Sequence, residues 1–452
     1  MPSRQDWPAT ICAVLVVAAL VLGGGGSSNP PTELLLELVF AVALIALGLA
    51  GRGGRSHDGP PAAAWTIAAL VLAVPLAQLV PLPPAVWRAL PGRATLAAAL
   101  DLVGHGAAWH PLSLDPAATL SSLLANLAPV ALMLLAATLD AARRRRVLAA
   151  IALTGLASVV LGALQLAASD SGGWSLYAYH HAGFLTGFMA NRNAETDVLQ
   201  IAALALIAAA GREDGSSGWR IPGGLVATGF VVLVLGVVAT GSRAGLGLLP
   251  LTLLVAWAAA RPNLPPTLRR PRALLFAALG LGAVALLVLG LGHGIFEKVA
   301  GRVENDGDFR PQLWRDAWYA ARQVWPAGGG LGSIQPLMIA AERLEEVFAL
   351  NPVSAHDEPL DWLVEAGLAG LVALAAVLAL LGRALVRRWQ VVGAARSSSP
   401  ERAQAWFASG ALAIVGLHGF VDYPFSATAL ATLAAFAAGV LLAPVGSPER
   451  AR

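Results

Sequence analysis

Apolar residues in this chain gather into blocks, with polar residues between them. The blocks fall near residues 9–23, 33–50, 64–82, 118–139, 147–167, 194–211, 221–240, 244–260, 273–296, 359–382, 403–421 and 426–445. Most approach the ~20 residues that a helix needs to cross a bilayer. The pattern predicts an all-α polytopic membrane protein with about 12 transmembrane helices. It divides the chain into spans one to nine (1–296), a large outer loop between spans nine and ten (297–358), and spans ten to twelve with a tail (359–452), all one integral domain. Several blocks are rich in glycine and alanine, which lets helix backbones approach closely in lipid. A second long loop covers 83–117. Inside the large loop, RPQLWRDAWYAARQVWP (310–326) has the spacing of an amphipathic helix. Trp314, Trp318 and Trp325 share one of its faces. That face suits either the membrane interface or packing against the bundle.

Composition agrees with the pattern. The chain is 57% hydrophobic and only 13% charged, where soluble domains carry roughly 25% charged residues. Mean hydropathy is +0.68. A single cysteine, Cys12, cannot make an intrachain disulfide and fits no metal pattern. The first block could mimic a signal peptide, but eleven more blocks follow, which favours an uncleaved first helix. The net charge of +3 matters less than its placement. With the N-terminus inside, 20 of the 30 basic residues lie in the termini and the even-numbered loops. That excess implies both termini in the cytoplasm. The RRRR run at 143–146 then reads as a topology anchor rather than a nucleic-acid patch.

Against that bias, some basic residues face outward. Arg243 sits in ATGSRAGLG, a turn so short that it is held at the bilayer edge; snorkelling is the simple explanation. Arg310 sits in GDFRPQLWRDAW, where a solvated pairing with Asp306 or Asp308 would account for it. Arg192 sits in GFMANRNAETD between Asn191 and Asn193. An ordinary helix start, with Asn193 as cap and acids in the first turn, is the alternative there.

The stretch SAHDEPLDWLVEAGLAG (354–370) is the least ordinary. Pro359 suits a first helical position, and Asp357 and Glu358 suit the positive end of a helix dipole. Asp361 and Glu365 share a face, where like charges repel mildly. Glu365 lies roughly 9 Å along the helix from Pro359 at ~1.5 Å per residue. A carboxylate at that depth faces the protein interior or a water-filled cavity. Capping explains neither Glu365 nor the preceding His356. Upstream, WPAGGGLGSI (325–334) carries Gly330 and Gly332. A nucleotide-binding loop makes no sense on an outer face, so these glycines read as a tight turn beside the site.

In order and spacing, these residues resemble the O-antigen ligase and polymerase superfamily of bacterial membrane glycosyltransferases. GFMANRN opens span six and GSRAG opens span eight. Arg310 and Arg315 follow with the tryptophans, then the P-x-GGGLG turn, then His356 with Gly367 and Gly370. HPLSLDPAATL (110–120) and HGFVDYPF (418–425) also look like family stretches. The family usually has Asn, Ser or Gln after the histidine, where this chain has Asp357. The resemblance implies a GT-C-like enzyme of the inner membrane, with its active site on the periplasmic face and no metal or other cofactor. It implies a glycan moved from a polyprenyl (undecaprenyl) diphosphate carrier to lipid A–core or a growing glycan chain. Polymerases and protein O-oligosaccharyltransferases remain within its reach.

The chemistry then assigns roles. Loss of a diphosphate leaving group needs charge stabilisation, and the planar arginine fork supplies it. Arg243 and Arg310 are expected to clamp the diphosphate. His356 is expected to take the acceptor proton, with Asp357 or Glu365 orienting it or serving as the base, and with inversion at the anomeric carbon. Arg192, Asn191, Asn193, Arg315, Asp361, Gly330 and Gly332 are expected to line the substrate site. A transporter would instead place polar groups at mid-membrane in repeated halves, and a scaffold would need none of them.

Overall fold

A computed structural model describes residues 6–25, 30–51, 59–168, 174–211, 219–270, 310–347, 351–394 and 400–444. The long helices are α1 (Trp7–Leu22), α2 (Pro30–Gly51), α3 (Ala62–Gln78), α6 (Pro116–Thr138), α7 (Ala141–Ala167), α8 (Arg192–Ala210), α9 (Gly223–Ala239), α10 (Arg243–Ala260), α13 (Glu358–Ala394), α14 (Pro400–His418) and α15 (Thr428–Leu442). Between them lie α4 (Pro84–Trp87), α5 (Ala94–Leu102), α11 (Arg310–Val324) and α12 (Ile334–Ala341). Eleven of the twelve apolar blocks thus fall on helices. The block at 273–296 lies outside the described residues, as do Asp306 and Asp308. Among the described residues, α6, α7, α8, α10 with its extension to Asn263, and α13 are long and apolar enough to cross a membrane. Four shorter apolar helices, α1, α3, α9 and α15, accompany them.

Local chemistry sets several helix starts. Asp115, Asp140, Asn191 and Ser242 each accept a backbone N–H from the first turn of α6, α7, α8 and α10. These caps satisfy donors that have no partner within the helix. The middle of the bundle is α8, buried on nearly all sides against α7, α9, α10 and α14. Small residues permit that packing: a side chain at Gly155 would run into Ala202, and one at Gly245 into Thr196. Because α8 is enclosed, its polar residues must find partners inside. Ser158 donates to Glu195 at 2.7 Å, and Gln200 donates to the Gly245 carbonyl at 2.9 Å while accepting from Thr252.

The two ends of the bundle differ. One end joins the starts of α1, α7 and α14 to the ends of α13's long arm and α15. There Arg146 pairs with Asp6 at 2.7 Å. Arg144, fully buried, pairs with Glu401 at 3.0 Å, and Arg388 pairs with the same carboxylate at 2.8 Å. Within the RRRR run, Arg144 also has a structural role. It is a buried partner of α14, because Glu401 and Gln404 point back at it.

The opposite end gathers the starts of α6, α8, α10, α13 and α15 and the ends of α1, α3, α7 and α14. The 83–117 loop is folded there. Strands β1 (Pro81–Leu82) and β2 (His110–Pro111) pair antiparallel. The buried Arg93 donates to the Leu112 carbonyl and, at 3.2 Å, to that of Gly328. Burial lowers its pKa to about 10, so it stays charged at neutral pH. The loop is thereby tied to the glycine turn. On α11 the alanines Ala317, Ala320 and Ala321 face inward, and Trp314, Trp318 and Trp325 are turned outward. Among the described residues this tryptophan face is left largely uncovered, which fits the membrane-interface reading.

Candidate functional site

The segment before α13 is held in an unusual conformation. His356 has φ of +54°, the only positive value among described non-glycine residues. Such a conformation costs on the order of 1–3 kcal/mol and persists only when surroundings enforce it. Asp361 does the enforcing. It accepts from Ser354 Oγ at 2.6 Å and from the Ala355 N–H at 2.9 Å. The His356 N–H donates to Ser354 Oγ at 2.9 Å. Asp361 is thus a buried brace one turn into the helix.

The loop between α14 and α15 is fastened to the same helix start. The Glu358 N–H donates to the Gly419 carbonyl at 2.7 Å, and the Phe425 N–H donates to Glu358 at 2.8 Å. These two bonds present Asp422 to the imidazole: His356 Nδ1 lies 3.1 Å from Asp422 Oδ1. Tyr423 meets the His356 ring edge-on at 4.6 Å. The other oxygen of Asp422 accepts from Asn193 at 2.6 Å. Behind it, His418 Nδ1 lies 2.7 Å from Asp197 and its Nε2 lies 3.7 Å from Asp422. Burial disfavours the Asp422 anion. The hydrogen bond from His356 and the nearby imidazoles outweigh burial and hold its carboxyl below the usual range.

Asp357 and Glu365, the expected orienting acids, do other work. Asp357 accepts from the Leu360 N–H at 2.9 Å, a helix-start bond, and burial pushes its carboxyl up. Glu365 is directed the other way, accepting the Ile334 N–H at 2.9 Å at the start of α12. Its carbonyl accepts from Gln78 and Gly330. The reason is geometric. Spacing along one helix carries Glu365 away from His356, while a separate loop brings Asp422 to it.

The remaining expected residues divide. Asn191 caps α8 and Asn193 reaches Asp422. The Arg192 guanidinium lies over Phe184, 4.2 Å from the ring centroid. Arg310 opens α11 within electrostatic reach of His418. Arg315, one turn on, donates to the Pro311 carbonyl at 3.4 Å. Arg243 is exposed on the first turn of α10, at the same end of the bundle. Gly330 and Gly332, both with positive φ, press against Ser113, Thr119 and Ala118 rather than facing open space. They shape the turn, as expected, and their backbone bonds are spent inside the protein.

Asp422, His418 and Asp197 were missed as site residues by sequence reasoning. HGFVDYPF held two of them, and the signal was two acids and a histidine beside apolar blocks. Asp197 looked like a first-turn acid. Only the enclosure of α8 shows that it faces His418.

The fold and site define a class: a helical membrane protein that gathers histidines, carboxylates and arginines at one end of its bundle. Residues 228–375 match the family model Wzy_C, described as O-Antigen ligase. The match covers part of the chain and supports its resemblance to the O-antigen ligase and polymerase superfamily, whose activity is broadly glycosyltransferase-like, with lipid-linked glycans and acceptors as partners. No curated protein matches the chain. The match includes Arg243, Arg310 and His356. Asp197, His418 and Asp422 lie outside it, so the site is completed by residues beyond the recognised domain.

Proposed function

We propose that this protein is an O-antigen ligase-like glycosyltransferase. It moves a glycan from a polyprenyl diphosphate carrier to a hydroxyl of lipid A–core or another acceptor. The observation that carries this reading is the contact of His356 Nδ1 with Asp422 at 3.1 Å, inside a chain with an O-antigen ligase domain. An ionised Asp422 accepts a hydrogen bond from Nδ1–H, which keeps the proton on that nitrogen and leaves the Nε2 lone pair as the base. The acceptor hydroxyl gives its proton to Nε2 and its oxygen attacks the anomeric carbon. The bond to the diphosphate breaks on the opposite face, so the configuration inverts. Arg243 and Arg310 take up the charge of the departing diphosphate; such electrostatic help is usually the largest catalytic contribution. Arg192, Asn191 and Arg315 complete the substrate contacts.

Orientation follows from charge. The end bearing Arg143–Arg146, Arg388 and Arg402 is the cytoplasmic one, by the positive-inside rule. The His356 end then faces the periplasm, where carrier-linked glycans are used. The test is gene deletion in the native host, followed by glycan profiling and complementation. Unattached polymer after deletion supports a ligase, and single repeat units redirect the reading to a polymerase. Glycosylated protein lost on deletion redirects it to protein O-oligosaccharyl transfer. Complementation by His356→Ala at wild-type level would sink the mechanism. Transfer by purified protein should survive EDTA, and a strict requirement for a divalent metal would contradict the arginine clamp.

A further inference from the structure

Beside the His356–Asp422 pair lies a cavity of about 520 Å³, between the 174–191 segment, the start of α8 and the α14–α15 loop. It falls within the range of ~300–1,000 Å³ typical of small-molecule sites. Its lining includes Tyr179, His180, Asn193, His418 and Asp422. Two of these present buried nitrogens that lack a hydrogen-bond partner: Nε2 of His180 and Nε2 of His418. The His418 side chain is only 1% exposed, so its Nε2, which at 3.7 Å is near Asp422 but not hydrogen-bonded to it, is not satisfied by bulk solvent, and a buried polar atom without a hydrogen bond is costly.

The charge of the lining selects the ligand. No arginine or lysine lines the cavity, among the described residues. Two carboxylates, Asp197 and Asp422, do. A diphosphate inside the cavity would meet those two carboxylates, while Arg310, within electrostatic reach of His418, stands outside the lining. A sugar hydroxyl finds complementary groups, because it can donate to a carboxylate or imidazole and accept from an amide N–H. Tyr179, 88% exposed, adds an aromatic wall for the apolar face of a ring.

We propose that this cavity binds a neutral, hydroxyl-rich sugar ring, at a place separate from that of the carrier's diphosphate. The proposal rests on the glycosyltransferase reading for its biological meaning, and its binding test does not depend on catalysis. The ring comes either from the acceptor or from the carrier-linked glycan.

The experiment uses the full chain in lipid nanodiscs with ¹³C-labelled histidine. Eight histidines keep the spectrum tractable. His180 and His418 are assigned through His180→Gln and His418→Gln, and His105 and His110 in the 83–117 loop serve as internal controls. The probes are the methyl glycosides of glucose, galactose and N-acetylglucosamine, and inorganic pyrophosphate. At least one glycoside should shift the His180 and His418 resonances, while pyrophosphate leaves that of His180 in place. Tyr179→Ala, at an exposed position where folding is not at risk, should weaken glycoside binding about tenfold. A His180 shift produced by pyrophosphate, or the absence of any shift with all three glycosides, would overturn the proposal.

A second arm separates the two sources. In native-host membranes, the transfer defect of Tyr179→Ala should be recovered by added polymer-free lipopolysaccharide if the ring is the acceptor's. It should be recovered by added undecaprenyl diphosphate-linked glycan if the ring is the donor's. Recovery by neither removes the sugar site. Glycoside binding together with unchanged glycans on gene deletion would instead strike the enzyme reading and leave the cavity assignment standing.

Discussion

The two ends of the bundle both bury ion pairs, yet they are built from different chemistry. At the basic end, Arg144 and Arg388 share the Glu401 carboxylate, and Gln404 and the Ala443 carbonyl supply further bonds. Arginine stays charged at any ordinary pH, so this cluster has one state and acts as a latch between α7, α13, α14 and α15. At the other end the partners are histidine and aspartate, and histidine is the side chain whose ordinary charge change lies near neutrality. A cavity lies against them, and His356 is part-exposed, its side chain at 30%. Burial alone therefore does not mark a site. What separates the two clusters is whether the buried groups can change charge and whether space is left beside them.

That contrast can be broken deliberately. The largest effect should come from the titratable end. His356→Ala and Asp422→Asn should each lower transfer by about 100- to 10,000-fold, the scale of a lost general base and its support. Their unfolding midpoints should stay close to wild type, and a large fall in midpoint with activity retained per folded molecule would merge the two ends. The next effect belongs to the latch. Glu401→Ala strands two buried guanidinium groups and should cost about 3–5 kcal/mol of stability, read as thermal unfolding in detergent. Its folded fraction should transfer glycan normally.

Gly330→Ala should destabilise by about 1–3 kcal/mol, because the position has positive φ and the added methyl meets Ser113. Transfer per folded molecule should be spared, which separates turn-shaping from substrate contact. The smallest effect is on pH. Asp422 is held below its ordinary value of 3.8. The stability it lends is complete above about pH 4 and is lost as pH falls through the lowered value. Acid should therefore lower the wild-type midpoint more than that of Asp422→Asn. Equal acid sensitivity in both proteins would mean that Asp422 carries no such linkage.

Much of the fold was legible because a bilayer imposes a simple code. Apolar blocks near the required length become helices, and all eleven blocks within the described residues do so here. The start of α8 was legible as a helix start, but its cap is Asn191 and not the expected Asn193, because the two asparagines differ by two positions that only the backbone conformation resolves. Asn191, Asn193, Arg310 and His356 stood out because polar groups at the edge of an apolar block need a reason. The stretch 228–375 held enough of the family pattern to be matched.

What the sequence determined by itself was thus the helical blocks, their separating charges and the histidine at a helix mouth. Those depend on short-range periodicity and on the cost of polar groups in lipid. Tertiary structure alone decided which acid serves that histidine. Asp357 is its neighbour in sequence, yet Asp422, 66 residues away, is its partner. Tertiary structure likewise buried Arg144 and Asp197, which in the sequence look like solvated charges. Local rules fix where a side chain can point along its own helix. Which other helix stands in front of it depends on how the whole bundle closes, and no local pattern encodes that.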